Sequence, residues 1–152
     1  MDITQLSLAV KIAIVFSGVF LWVGMLTGVW KYVQIRRSPQ ARAHYYVDIA
    51  HRSSLLYAPA SLILAVLAWC SDFSTSLNLW CVVVNILFFS FSIIAYILHG
   101  ILQDTTNQFR KPHTLGTLKV PSVMLSFAMT GLIIAELGGT GILILGSLSG
   151  LF

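Results

Sequence analysis

Residues 73–103, FSTSLNLWCVVVNILFFSFSIIAYILHGILQ, run from Asp72 to Asp104 without a formal charge. A bilayer core takes roughly 20 apolar residues to cross as a helix. This run is longer than that, and it does not alternate as a lipid-facing strand would. Three further runs resemble it. Residues 12–30 lie between Lys11 and Lys31, residues 53–71 lie between Arg52 and Asp72, and residues 120–152 carry a single charge, Glu136. The chain is 57% hydrophobic and 9% charged, with a mean hydropathy of +0.88. No soluble domain of this size needs so much apolar surface. The prediction is an all-α fold, an integral membrane bundle of four transmembrane helices. Its spans fall near 8–31, 53–71, 77–100 and 120–146, within one membrane domain over 1–152. The first run lacks a small-x-small exit and ends in GVWKYVQIRR, so it reads as a retained span rather than a signal peptide.

Basic residues orient the bundle. The first connection holds Lys31, Arg36, Arg37, Arg42 and Arg52, and the third holds Arg110, Lys111 and Lys119. The second, SDFSTS, holds none. By the positive-inside rule, connections one and three are cytoplasmic and both termini lie outside. The net charge of +4 follows from this topology and from contact with the lipid bilayer. It is not a nucleic-acid footprint, because no folded basic domain carries it. Ser38-Pro39 reads as an N-cap and first helical residue, which starts the second helix at 39. Pro59 falls inside that helix and frees a carbonyl one turn back. Cys70 and Cys81 flank the outer turn, where a disulfide is geometrically conceivable and free buried thiols are the plainer reading.

Polar groups at membrane depth carry the functional question. On helix two, His44 and His51 are seven apart and share a face, with Asp48 between them and Arg52 four beyond Asp48. On helix three, Asn85, Ser92, Tyr96, His99 and Gln103 follow at spacings of 7, 4, 3 and 4. That narrow stripe must face protein, a cavity or a cofactor. His51 and His99 fall at similar height, with Tyr57 and Tyr96 about a turn deeper, so two histidines and two tyrosines could converge near the inner leaflet. Glu136 falls farther toward the outer side, outside that group. Small residues Gly24 and Gly28 on helix one, and Gly131, Ala135 and Gly139 on helix four, offer close-packing faces. The bland alternatives stand beside these readings. A histidine at a helix end serves equally as an interfacial polar tip, tyrosines there are usually belt anchors, and a lone glutamate is usually hydrogen-bonded within the bundle.

Imidazole suits zinc, copper and iron, and a membrane-embedded histidine is a familiar haem ligand. No CxxCH, HExxH, GxSxG or phosphate loop occurs, which argues against covalent haem and common hydrolase chemistry. GVFLWVGMLTG at 18–28 and IAHRSSLLY at 49–57 resemble segments of styrene oxide isomerase, a bacterial four-helix membrane enzyme. HYYVDIAHR at 44–52 and HGILQDTTNQF at 99–109 look like an uncharacterised bacterial four-helix membrane family related to it. The resemblance spans most of the chain in outline, with motif identity confined to a few positions. It implies haem b, a homotrimer, a small apolar substrate and a bacterial inner membrane location. His51 matches the axial iron ligand, with Asp48 or a backbone carbonyl behind it, and Tyr96 matches a pocket tyrosine. Tyr57 stands where that enzyme has a pocket asparagine. The chemistry so implied is epoxide-to-carbonyl isomerisation, with ferric haem as Lewis acid. Two other functions stay open: a haem electron carrier or sensor with His51 and His99 as paired ligands, and a non-catalytic membrane subunit whose polar stripe serves packing.

Overall fold

A computed structural model describes residues 6–152. Its elements in chain order are α1 (Leu8–Arg37), α2 (Tyr45–Cys70), α3 (Thr75–Leu102), β1 (Thr114–Leu115), β2 (Leu118–Lys119), α4 (Ser122–Ile133), a π segment (Ile134–Gly139) and α5 (Thr140–Leu151). The last three run on as one helix. The fold is therefore all-α apart from a two-stranded antiparallel hairpin, with four helical units each long and apolar enough to cross a membrane.

Local signals explain the helix ends. Ser7 and Ser74 accept from Val10 and Leu77 N–H groups and so cap α1 and α3. Arg36 and Arg37 occupy the last turn of α1, where cations suit the helix dipole. The start of α2 differs from the sequence expectation. Ser38 closes α1, donating its N–H to Ile35 O, instead of opening α2. Pro39, with no N–H to donate, ends the first helix rather than starting the second. A turn through Ala41 follows, at φ 51°, and His44 caps α2 by accepting the Tyr46 N–H on Nδ1. The Gln34 side chain accepts the His44 N–H at 2.8 Å and ties this turn back to α1.

Small residues set the packing, as their spacing suggested. At Gly24 a Cβ would stand 2.6 Å from Leu55 Cδ2, and at Gly139 another would stand 2.6 Å from Asn85 Nδ2. Backbones approach closely at these points, α1 against α2 and the π segment against α3. Ala13, Val47, Val82 and Leu143 are fully buried between helices. Most large apolar side chains point outward instead, among them Leu56, Trp69, Trp80 and Phe127. Such a surface suits hydrocarbon and would be an aggregation liability in water. α4 buries no residue at all. Cys70 and Cys81 are free thiols.

Candidate functional site

His51 sits on α2 against the glycine face of α1. Its Nδ1 lies 2.8 Å from the Gly24 carbonyl. A carbonyl oxygen can only accept, so the proton is on Nδ1 and Nε2 presents a lone pair. Gly28 makes the seat: a Cβ there would fall 2.9 Å from His51 Cε1 and 3.0 Å from Nδ1. Nε2 has no protein partner among the described residues, and it is not sealed inside the chain. A histidine with one ring nitrogen fixed by a carbonyl and the other bare is prepared to ligate a metal. Asp48 does not supply that fixing bond. Its carboxylate pairs with Lys31 of α1 and, at 3.6 Å, with Arg52. His44, as a cap outside the helix, does not share the His51 face either.

His99 belongs to a different arrangement. It is 7% exposed, and its Nδ1 lies 2.8 Å from Asp104 Oδ1. The other Asp104 oxygen accepts the Gly116 N–H at 2.6 Å, which anchors the turn of the β-hairpin to the end of α3. Burial alone would raise the Asp104 carboxyl. The hydrogen bonds from Gly116 and His99 outweigh it and hold Asp104 below the usual carboxylate range. Burial pushes His44 below the ordinary histidine value; nearby Asp104 opposes this and His99 adds to it. The Tyr46 ring lies 4.9 Å from that of His99 and stacks on Tyr96 at 6.0 Å, and its hydroxyl accepts the Gln108 N–H at 2.6 Å. A cavity of about 220 Å³ opens between α3 and α4, bordered by Ser92, Tyr96, His99, His113 and apolar side chains.

Tyr57 faces the interior. Its ring stacks on Phe89 at 4.2 Å and 11°, with Phe20 tilted beside it at 6.4 Å. Tyr57 and Tyr96 lie within Coulombic range of each other, and both lie within range of the Glu136 carboxylate. Glu136 lies in the π segment, with Oε1 buried and lacking a hydrogen-bond partner. π turns inside helices recur at functional sites. One turn on, the Thr140 hydroxyl donates to Asn85 Oδ1 at 3.2 Å.

The polar stripe of α3 does face protein: Asn85, Ser92 and His99 are buried, while Gln103 is exposed beyond the helix as its left-handed cap. The structure thus places Ser92, Tyr96 and His99 on one cavity and sets His99 with Asp104 and Tyr46. It seats His51 against the Gly24 and Gly28 face of α1. Sequence reasoning missed Asp104, whose signal was its place five residues beyond His99. It also missed Gly24 as the carbonyl partner, which only the glycine pair on α1 hinted at. Among the described residues, no three His, Cys, Asp or Glu side chains cluster as a metal site, so an iron held here would depend on a single histidine and a macrocycle. Comparison with protein-family models, curated proteins and solved structures finds no match.

Proposed function

We propose that this chain is a multi-pass protein of a bacterial inner membrane that binds haem b through His51. The carrying observation is the His51 seat: Nδ1–H donating to Gly24 O at 2.8 Å, the ring resting over Gly28, and Nε2 left bare. That donor set fits one axial ligand of a haem. The cavity between α3 and α4 is not bordered by His51. A second copy would help enclose the group, in line with the homotrimer that the resemblance to styrene oxide isomerase implies. When bound, ferric haem would supply a Lewis acid for the oxygen of an epoxide. In this reading the chain is an isomerase that converts a small apolar epoxide to a carbonyl compound. His51 would hold the iron, and the resemblance gives Tyr96 the role of orienting the substrate oxygen and Tyr57, stacked on Phe89, that of shaping the pocket. Asp48 fixes the seat from a distance by tying α2 to Lys31 of α1.

The paired-histidine carrier is the second reading: His99 Nδ1 is likewise held, by Asp104 at 2.8 Å, but His99 packs with Tyr46 rather than on the α1 face that seats His51. The non-catalytic subunit draws on one observation: Asn85 and Thr140 spend part of the polar stripe on helix packing. An absorption spectrum of protein purified from haem-replete cells separates the readings. The isomerase reading expects a Soret band, a ferric site that binds azide, and aldehyde formed from styrene oxide without added reductant. A protein with no Soret band removes it and leaves the subunit.

A further inference from the structure

The cavity between α3 and α4 is bordered by Tyr96 but not by His51. It holds about 220 Å³, and an apolar cavity of about 150 Å³ accepts benzene. One ring bearing a small substituent fits. Its walls are apolar, from residues such as Leu98, Met124 and Met129, and α4 buries none of its own surface to close the gap. The imidazoles at one end are both oriented. His99 Nδ1 faces the Asp104 carboxylate at 2.8 Å, and His113 Nδ1 faces the Gln108 carbonyl at 3.2 Å. Both partners accept only, so both Nδ1 atoms carry a proton, and in the neutral ring each Nε2 is an acceptor. The His99 side chain is 9% exposed, and its Nε2 has no protein partner among the described residues. His99 borders this cavity, and Nε2 is its free hydrogen-bonding atom.

We propose that this cavity binds a hydroxylated aromatic ring, a phenol or hydroquinone, whose O–H donates to His99 Nε2. Asp104 is the positioning residue that sets the tautomer. An aromatic carbonyl or ether of the same size lacks the donor and is rejected, because it would leave Nε2 unpaired in an apolar site.

The Asp104→Asn variant tests the assignment in the full chain reconstituted in lipid nanodiscs. The Gly116 N–H needs an acceptor, so the new amide turns its oxygen to Gly116 and its NH2 to His99. His99 Nδ1 must then accept, and Nε2 becomes a donor. p-Cresol and 4-methylacetophenone are titrated by calorimetry against both proteins. The wild type is expected to bind p-cresol saturably and to prefer it by roughly tenfold, the size of one hydrogen bond. In Asp104→Asn the preference inverts. Ala128→Phe, which fills the cavity and leaves the dyad intact, abolishes binding of both while helix content is kept. n-Decylhydroquinone distinguishes the sources. Binding tighter than p-cresol, beyond its partition into empty nanodiscs, supports a membrane hydroquinone, and equal binding supports a small free phenol. Uptake of every probe that matches empty nanodiscs, or a preference indifferent to Asp104→Asn, overturns the proposal.

Discussion

Gly28 is where the histidine seat is most easily broken. A methyl group there would press on the His51 ring at 2.9 Å, and misfit of this kind costs about 1–3 kcal/mol. Gly28→Ala should therefore lower haem retention by roughly tenfold or more while circular dichroism stays that of the wild type. The check is the ratio of Soret to protein absorbance after gel filtration. His44 makes a second residue-level prediction. Its Nδ1 accepts the Tyr46 N–H as the cap of α2, which only the neutral ring can do. Burial disfavours the charged form and holds the folded pKa below the ordinary value of 6.5. The stabilisation is then complete above 6.5 and lost as pH falls through the lower folded value. His44→Asn keeps a side-chain acceptor that does not titrate, so its melting temperature should fall less on acidification than that of the wild type. His44→Ala should lose about 0.5–2 kcal/mol at neutral pH. Thermal melts at pH 7.5 and 5.0 measure both.

At the scale of elements, the long apolar runs made four helices legible, and the glycine and alanine spacings showed which faces approach closely. What was illegible depended on groups with no periodic signature. Ser38-Pro39 has the composition of a helix start, yet the same Pro ends a helix when an apolar run precedes it, as α1 does here. The hairpin has two residues per strand, too short to show alternation. The π segment places one extra residue in a turn and changes which side chains face α3, a shift that counting along a regular helix does not show. A buried carboxylate oxygen without a partner lowers stability. Glu136→Leu is expected to raise stability by about 1–3 kcal/mol, read as a higher melting temperature in detergent. A lower one would mean that the carboxyl has a partner in the assembled protein. The expectation that His51 ligates a metal came from the resemblance to styrene oxide isomerase. Its orienting carbonyl was not legible, since a backbone acceptor on another helix leaves no trace in local sequence.

The whole molecule turns an apolar surface outward, from Trp22 on α1 to Phe127 on α4, and its basic residues other than Lys11 fall in or beside the first and third connections. Insertion in a bilayer would account for both, and the positive-inside rule then predicts the 38–44 and 103–121 connections in the cytoplasm and residues 71–74 outside. In a cysteine-free background, Arg110→Cys should be labelled by an impermeant maleimide only in inside-out vesicles and Ser74→Cys only in right-side-out ones. The reverse pattern would invert the topology. The central claim concerns one nitrogen atom, the bare Nε2 of His51, and haem retention tests it most directly. Wild type, His51→Ala and His99→Ala are purified in parallel from haem-replete cells, and the Soret band is measured against protein. The account predicts a band in the wild type, its loss in His51→Ala and its survival in His99→Ala, because it assigns the iron to His51 alone. A Soret band that persists in His51→Ala, or that vanishes with His99→Ala alone, would contradict it.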